Sequence, residues 1–390
     1  MVRALLYLPD DAARPLAGAS VSGRTLTVRA MVAALRAGAS LIAAPAMLRD
    51  PAVERALARM PALAAAVHWL TPDASAPAAD PAPWLLLPAS ALIHVNALGG
   101  LLAAPAPRGA VLAPSAAGSA PVALAPAPLV AALWKDLAAA QPVGALLARR
   151  LAEAGADARA SAGPFVAVHD ASDLPRAASA LEATLGIAVD SGVDRYLHRR
   201  CSRWISRLLV RTTVTPNHVS LSSLAIGLMA IWCFWHGTAA SAWLGVLLYA
   251  VASIVDHADG EIARLTFQES RLGANLDWTI DTIIHAGIVL GIGVSSGGWY
   301  TSLVGLVGAI GVTLSAVFAR YLPREIEVGP TVGGLLTHIA NRDLFYLVLL
   351  SFAILRWLEP SLVFLVALLV AVGSQVYWLG CLIRIWRPRP

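Results

Sequence analysis

Residues 256–281 read DHADGEIARLTFQESRLGANLDWTID and decide how this chain is interpreted. The stretch lies in the more hydrophobic half of the sequence and carries four aspartates: Asp256, Asp259, Asp277 and Asp281. A carboxylate within a membrane-spanning region is costly unless it is paired or bound to a metal, so the group marks a functional site. Spacings of three and four residues put each pair on one face of a helix. The sequence therefore predicts two helix ends that face each other across a divalent metal site.

The chemistry of such a site follows from its residue types. Paired carboxylates are hard oxygen ligands suited to Mg²⁺ or Mn²⁺. Two such ions neutralise a pyrophosphate and stabilise the attacking and leaving oxygens of a phosphoryl transfer. Arg264 is placed to reach a phosphate oxygen, and Gly260 and Ala263 remove side-chain bulk from the face that carries the first aspartate pair. The alternative is a buried ion-pair network between transmembrane helices, in which two arginines would leave negative charge unbalanced.

The spacing of these residues resembles the signature of the CDP-alcohol phosphotransferases, integral membrane enzymes that make phospholipids. The pattern is Asp-x-x-Asp-Gly-x-x-Ala-Arg, eight further residues, then Gly-x-x-x-Asp-x-x-x-Asp, and the resemblance covers roughly residues 190–386. It implies that four residues hold two Mg²⁺ or Mn²⁺ ions: Asp256, Asp259, Asp277 and Asp281. It implies that Asp277 and Asp281 are catalytic, with Asp281 the base for the acceptor hydroxyl. The residues expected to contact the nucleotide are Gly260, Ala263, Arg264, Gly273 and Asn217.

Composition places half of the chain in a membrane. A mean hydropathy of +0.68 and a hydrophobic content of 58% exclude an ordinary soluble protein. Stretches of about 20 apolar residues, the length that crosses a bilayer, predict six transmembrane helices near residues 219–237, 241–262, 276–296, 299–320, 343–358 and 360–383.

The distribution of basic residues predicts the orientation of these helices. Arginines gather before the first span, in the loops after the second and fourth spans, and in the tail, whereas HGTAASAW and SSGGWY carry no Lys or Arg. The positive-inside rule then places both termini and the aspartates in the cytoplasm, in a multi-pass protein of a bacterial-type inner (plasma) membrane. The first residues do not have the pattern of a signal peptide. The formal charge of +5 favours anionic lipid rather than nucleic acid as a partner.

The first half of the sequence, residues 1–188, predicts a separate cytosolic α/β domain. Short apolar runs alternate with Ala-rich helical stretches, which favours a largely parallel, Rossmann-like sheet. The opening RPLAGASVSGRTLTVRAMVAALRAGA resembles the MobA-like sugar-nucleotide nucleotidyltransferases, which are fused to the phosphotransferase in enzymes that make inositol-phosphate compounds. The Gly-rich loop and Lys of that family are missing, and Pro88, Ala89 and Ser90 stand where an acidic metal ligand is expected. We therefore predict an inactive relative; an unrelated Rossmann-like domain is the alternative.

Residues 189–215 predict an amphipathic juxtamembrane helix. Basic residues recur every four positions: Arg195, Arg199, Arg203, Arg207 and Arg211. An apolar stripe accompanies them: Leu197, Cys201, Trp204, Ile205 and Leu208. This pattern predicts a helix in the membrane interface with its arginines toward lipid phosphates, or alternatively one face of an ordinary solvated helix. The segment resembles the pre-membrane stretch of the phosphotransferase family, except that Ser191 and His198 replace the usual Asp and Asn. Asn217 is expected to cap the first span.

Three further arginines, Arg320, Arg324 and Arg342, are candidates for binding a phosphate on the acceptor alcohol, or anchor helices by the positive-inside rule. Together the features predict an α-helical membrane domain of six spans, residues 216–390, with a soluble α/β domain before it. We expect a homodimer that passes a phosphatidyl group from a CDP-linked donor, CDP-diacylglycerol, to an alcohol with release of CMP. The alternatives are a soluble donor such as CDP-inositol and a non-catalytic scaffold or transporter of the same fold.

Overall fold

The computed structural model describes residues 2–76, 82–113, 120–186, 192–320 and 342–386. The chain divides into two compact units, Met1–Leu185 and Gly186–Pro390. The division lies close to the boundary expected at residue 188.

The first unit is built on a central β-sheet. Its strands are β1 (Val2–Tyr7), β2 (Ser20–Val21), β3 (Arg24–Thr25), β4 (Ala39–Pro45), β5 (Val67–Leu70), β6 (Trp84–Pro88), β7 (Ala91–Ile93), β8 (Ala110–Ala113), β9 (Ala123–Ala125), β10 (Asp157–Ala160) and β11 (Phe165–Ala167). Seven of them form one sheet in the order β10-β8-β9-β6-β1-β4-β5. The apolar run of β1 is buried because β1 lies in the middle of the sheet, parallel to both β4 and β6. Strand β9 is antiparallel to its neighbours β6 and β8, so the sheet is parallel only in part.

Helices connect these strands. They are α1 (Ala13–Ala17), α2 (Leu26–Arg36), α3 (Pro51–Arg59), α4 (Pro61–Ala66), α5 (Val95–Leu102), α6 (Ala127–Ala138), α7 (Gly144–Glu153) and α8 (Leu174–Glu182). Short 3₁₀ turns lie at Ala46–Leu48, Ala171–Asp173 and Ala183–Leu185. Helices α6 and α7 are separate because Ala140 takes a left-handed conformation (φ 55°) and Pro142 cannot continue a helix.

The second unit is helical. A π-helical turn at Asp194–His198 leads into α9 (Arg199–Leu209), and a 3₁₀ turn lies at Pro360–Leu362. The remaining helices are α10 (Pro216–His236), α11 (Ala239–Thr266), α12 (Arg271–Ser295), α13 (Trp299–Ala319), α14 (Arg342–Leu358) and α15 (Val363–Trp386). Five segments of the described residues are long and apolar enough to cross a membrane: Pro216–His236, Ala239–Thr266, Arg271–Ser295, Trp299–Ala319 and Pro360–Ile383.

The span expected at residues 343–358 is a helix but is not among those five. Helix α14 has 17 residues, begins with Arg342 and Asp343, and carries Arg356 in its last turn. The Arg356 side chain donates a hydrogen bond to the carbonyl oxygen of Gly237, at the end of α10. The count of six transmembrane helices therefore stays a prediction.

Two helix ends decide where the motif residues lie. Thr215 caps α10 together with His218, so the expectation that Asn217 caps this helix is wrong. Helix α11 ends at Phe267, which has a left-handed backbone, and Ser270 caps α12 by accepting a hydrogen bond from the Gly273 amide. The turn between α11 and α12 is consequently only four residues long.

Helix α10 packs against both helices of the motif, α11 and α12. A side chain at Gly227 would collide with Ile284, so the glycine permits α10 and α12 to approach closely. The buried cluster that includes Phe234, Tyr249, Ile284 and Phe352 joins these helices to α14. This packing holds the carboxylate-bearing faces of α11 and α12 in one place.

Candidate metal and nucleotide site

Three of the four predicted aspartates come together. Asp256 and Asp259 of α11 and Asp277 of α12 each offer a carboxylate oxygen, and these oxygens all lie within 4.8 Å of one another. Asp259 is buried and accepts a hydrogen bond of 2.5 Å from Ser220 on α10. The helix spacing that suggested a shared face therefore produces a convergent set of oxygen ligands.

The cluster fits a divalent cation. The Oδ1 atom of Asp256 is buried and has no hydrogen-bond partner among the described residues. A buried carboxylate oxygen without a donor is costly, and a bound Mg²⁺ or Mn²⁺ would satisfy it. Three anionic groups this close also favour a cation, because their mutual repulsion is otherwise offset only in part.

Asp281 lies beside the cluster but faces an arginine. Its Oδ2 atom is 3.4 Å from Arg342 Nη2, and the same nitrogen is 3.5 Å from Asp256 Oδ2. The Asp281 side chain is 38% exposed, against 11% for Asp256, so it is accessible to a substrate. Asp281 is therefore not part of the three-carboxylate cluster. It is linked to Asp256 of that cluster by Arg342, which contacts both carboxylates.

The predicted nucleotide residues lie on α10, α11 and α12, and α11 and α12 also carry the aspartates. Arg264 is largely buried, and its Nε has no hydrogen-bond partner among the residues that the structure describes. A Cβ on Gly260 would lie 3.4 Å from Arg264 Nη1, so the missing side chain keeps the space beside the guanidinium open. Ala263, three residues after Gly260, adds little bulk to this face. Across the site, a Cβ on Gly273 would lie 3.8 Å from Asn217 Oδ1.

The acceptor-side arginines have different environments. Arg320 is exposed, donates a hydrogen bond of 2.5 Å to Asn275 Oδ1, and lies 5.0 Å from the ring centre of Trp278. Arg342 is half-buried among carboxylates, as described above. Arg324 lies outside the described residues. Arg320 and Arg342 thus contact the helix that carries Asp277 and Asp281.

Sequence reasoning missed a polar cluster next to the aspartates. Asp194 Oδ1 is 2.8 Å from His198 Nδ1, 3.3 Å from His257 Nε2 and 3.5 Å from Arg342 Nη1. His198, which replaces the Asn usual in the family, is buried, and its Nε2 is 2.9 Å from the hydroxyl of Tyr346. The spacing of four between Asp194 and His198 is a helical contact that the sequence offered as a signal.

The Asp194 carboxylate is ionised in this setting. Burial raises its pKa, but hydrogen bonds to His198 and His257 and the charge of Arg342 outweigh burial and hold the pKa well below its usual range. Asp194 therefore presents a fixed negative charge to Arg342.

The predicted arginine stripe is wrong for one member. Arg199 is buried and its Nη1 lies 3.2 Å from Oε1 of Glu261, which also accepts hydrogen bonds from Ser202 and Ser206. The arginine turns inward because Glu261 is fully buried on α11 and needs a cationic partner. Among the apolar residues of the stripe, Trp204 is 65% exposed, so that face is open to a membrane.

Among the described residues of the α/β unit, the position expected for a metal ligand carries no acidic group. Pro88 ends β6, the Ala89 amide donates a backbone hydrogen bond to Tyr7, and Ser90 is buried. After β1, the Asp10 carboxylate accepts a hydrogen bond from the amide of Ala13, the first residue of α1.

Comparison with known proteins agrees with the geometry of the second unit. Residues 213–386 match the family described as CDP-alcohol phosphatidyltransferase. A bifunctional IPC transferase and DIPP synthase of Thermococcus kodakarensis is 32% identical over 130 residues, 32% of this chain and 29% of the relative. A protein of the same name from Rubrobacter xylanophilus is 31% identical over 161 residues, 38% of this chain and 36% of the relative.

An archaetidylinositol phosphate synthase of Pyrococcus horikoshii is 33% identical over 114 residues, 28% of this chain and 58% of the relative. The match therefore spans between about a third and somewhat more than half of these relatives' lengths. Residues 213–386 include every motif position from Asn217 to Asp281. Residues 213–386 are therefore a CDP-alcohol phosphatidyltransferase domain.

Proposed function

We propose that this protein is a membrane phosphotransferase that moves a substituted phosphoryl group from a CDP-linked donor to an alcohol, with release of CMP. The observation that carries the proposal is the convergence of Asp256, Asp259 and Asp277, together with the unpartnered Asp256 Oδ1. The buried Arg264 beside Gly260 supplies a cation and open space for the donor's diphosphate. Neither feature serves a non-catalytic scaffold.

The residues divide the work of the reaction. The acceptor hydroxyl attacks the phosphorus distal to the cytidine, the bond from that phosphorus to the bridging oxygen breaks, and CMP leaves with the bonding electrons. Asp281, whose side chain is more exposed than that of Asp256, takes the hydroxyl proton. Asp256, Asp259, Asp277 and Asp281 would hold Mg²⁺ or Mn²⁺, which when bound neutralises the diphosphate charge. Arg264 binds a diphosphate oxygen, and Gly260, Ala263, Gly273 and Asn217 border the cytidine side.

The donor we propose is a CDP-linked lipid such as CDP-diacylglycerol, and the acceptor a phosphorylated alcohol. The name of the Pyrococcus relative, an archaetidylinositol phosphate synthase, supports an inositol phosphate as acceptor. Arg320 and Arg342 are the cations proposed for its phosphate, since both contact α12 near Asp277 and Asp281. A soluble donor such as CDP-inositol is the second candidate, because the Thermococcus and Rubrobacter relatives are bifunctional enzymes.

We further propose six spans, with α14 as the additional one, and a cytoplasmic site in an inner membrane protein that forms a homodimer. A site that accepts both a lipid-borne donor and a water-soluble alcohol must lie at the depth of the lipid head groups. The exposed Trp204 and Leu208 of α9 support contact of this helix with a bilayer that contains anionic lipid. The α/β unit is proposed to be inactive as a nucleotidyltransferase, since Ser90 stands at the position of the acidic ligand.

The donor is tested with purified protein in liposomes and Mg²⁺. CDP-diacylglycerol and CDP-inositol, each labelled in the cytidine, are supplied separately with inositol phosphate or with a lipid acceptor, and labelled CMP is measured. We expect CMP from CDP-diacylglycerol only when inositol phosphate is added. CMP from CDP-inositol alone among the donors would assign the second candidate, and CMP from neither donor with any acceptor would contradict the proposed function.

A further inference from the structure

The juxtamembrane turn at residues 194–198 is connected to the carboxylate site through Arg342. The guanidinium of Arg342 lies between two groups of acids: Nη1 faces Asp194 Oδ1 at 3.5 Å and also lies 3.0 Å from His257 Nδ1, and Nη2 faces Asp256 and Asp281 at 3.5 and 3.4 Å. The planar fork of an arginine is suited to such a bridge, because its nitrogens point in fixed and different directions. The orientation of Arg342 therefore depends on acids at both of its ends.

The acid on the outer end is itself held firmly. His198 and His257 lie within hydrogen-bond reach of Asp194, and each imidazole is fixed by a second partner. His198 Nε2 meets the Tyr346 hydroxyl at 2.9 Å, and His257 Nδ1 meets the carbonyl oxygen of Ser253 at 2.8 Å. The Asp194 side chain is only 10% exposed. These contacts fix where the negative charge of Asp194 stands.

A second contact secures the same turn to the start of α14. Asp343, the neighbour of Arg342, accepts hydrogen bonds from the backbone amides of Gly192 and Val193 at 2.8 and 3.0 Å. The segment that carries Asp194 and the helix that carries Arg342 are thus joined by backbone as well as side-chain contacts.

We propose that Asp194, held by His198 and His257, is a positioning residue that draws the Arg342 guanidinium away from Asp256 and Asp281 and so keeps those carboxylates available to a divalent cation. Without the Asp194 charge, the acids that Arg342 still faces among the described residues are Asp256 and Asp281, and Arg342 competes with the cation for them. The juxtamembrane turn at residues 194–198 thus contributes to metal binding by positioning Arg342. The inference rests on the proposed metal site, and its test measures metal binding rather than turnover.

Manganese alone serves as the probe. Full-length protein in detergent is titrated with Mn²⁺, and free Mn²⁺ is followed by its electron paramagnetic resonance signal. Asp194→Asn should weaken Mn²⁺ binding by about tenfold, the lower end of what losing a ligand's outer partner typically costs. Arg342→Gln should strengthen binding by a comparable factor, because the competing charge is gone.

The double variant separates an effect through Arg342 from a direct effect of the Asp194 charge. Asp194→Asn combined with Arg342→Gln should bind Mn²⁺ like Arg342→Gln alone, within the roughly twofold scatter of independent changes. A further tenfold weakening in the double variant would show that Asp194 acts directly and would overturn the proposal. Unchanged Mn²⁺ binding in Asp194→Asn or in Arg342→Gln would also overturn the proposal. If Asp194→Asn folds poorly, Arg342→Gln still tests it.

Glu261→Gln is the matched control. Glu261 is also a buried carboxylate that joins the juxtamembrane segment to α11, but its described partners are Arg199, Ser202 and Ser206 rather than Arg342. It should lower the melting temperature and leave Mn²⁺ affinity unchanged. A loss of affinity equal to that of Asp194→Asn would indicate general loosening and contradict a positioning role. If the unsubstituted protein binds no Mn²⁺, the proposed metal site fails together with this inference, whereas normal binding that is insensitive to Asp194 contradicts the inference alone.

Discussion

The two units of this chain use buried polar positions in opposite ways. In the membrane unit, the ends of α11 and α12 keep carboxylates close together, and Asp256 Oδ1 and Arg264 Nε are left without partners among the described residues. In the α/β unit, Ser90 stands where an acidic metal ligand is expected and is buried, and the Asp10 carboxylate accepts a hydrogen bond from the Ala13 amide. Unsatisfied polar atoms are costly for folding, so an unpartnered oxygen among three convergent carboxylates indicates a ligand.

Buried charge is not by itself a mark of function, and the α/β unit shows this. Arg29 is buried on α2, and its guanidinium donates to the carbonyl oxygens of Val21 and Ser22. Burial, together with the charge of Arg24, lowers the pKa of Arg29 to about 9. Its hydrogen bonds hold the β2–β3 turn, a structural role, whereas the half-buried Arg264 of the membrane unit has an Nε without a hydrogen-bond partner among the described residues.

The largest expected effect tests the carboxylates of the membrane unit. Asp256→Asn, Asp259→Asn and Asp277→Asn should each reduce CMP release by more than about 100-fold, since a metal ligand matters more than its outer partners. The rate of CMP release from the CDP-linked donor is the measurement. Glu359→Gln, which removes an exposed carboxylate whose described side-chain bond is to Ser361, is the control and should keep the full rate. A comparable loss of CMP release in Glu359→Gln would show that the effect is not specific to the carboxylates of the site.

The next effect concerns stability rather than chemistry. Glu261→Gln removes an anionic partner of the buried Arg199 and should destabilise the protein by about 3–5 kcal/mol, the usual result of breaking a buried ion pair. Thermal unfolding in detergent measures it. Replacing both residues with methionine should recover most of the loss. A double variant no more stable than the single one would mean that the pair is required for more than charge balance.

A smaller effect tests the space beside Arg264. A Cβ on Gly260 would lie 3.4 Å from the Arg264 guanidinium, so Gly260→Ala fits the protein but occupies the proposed donor space. We expect about a tenfold higher KM for the CDP-linked donor, as for a methyl group forced into a packed contact, with an unchanged or higher melting temperature. Gly373→Ala, where an added Cβ meets nothing within 4 Å among the described residues, is the matched control. Equal KM values for both variants would remove Gly260 from the donor site.

The smallest effect is expected in the α/β unit. Full-length protein incubated with CTP and inositol phosphate should release no pyrophosphate, because Ser90 cannot ligate a metal as an acid would. Pyrophosphate is measured by a coupled assay, and an active cytidylyltransferase added to the same mixture provides the positive control. Steady pyrophosphate release that is lost in Asp10→Asn would show that both units are catalytic and would contradict the difference proposed between them.

Much of the site could be predicted from the sequence because its information is local. Asp256 and Asp259 lie within one helical turn, as do Asp277 and Asp281, and helical periodicity fixes which faces they share. The convergence of α11 with α12 follows from a short turn that Phe267 and Ser270 define. Apolar length likewise predicted the long membrane helices.

The remainder depends on contacts between distant residues. Periodicity assigned Arg199 to the lipid side, yet its partner Glu261 is 62 positions away. Asp194 and Arg342 are 148 positions apart in the sequence, and no local sequence pattern predicts their contact. Asn217 was a reasonable helix cap by residue type, but Thr215 and His218 form the reciprocal cap instead. Side-chain propensity identifies candidates for a role, and tertiary packing selects among them.

The central claim is that Asp256, Asp259 and Asp277 act by holding a divalent cation. The most direct measurement is CMP release by the purified protein in Mg²⁺, after removal of the metal with EDTA, and after Mg²⁺ is restored. Our account predicts that EDTA abolishes the reaction, that restored Mg²⁺ or Mn²⁺ returns it, and that Asp259→Asn stays inactive throughout. A full rate of CMP release in EDTA would contradict it.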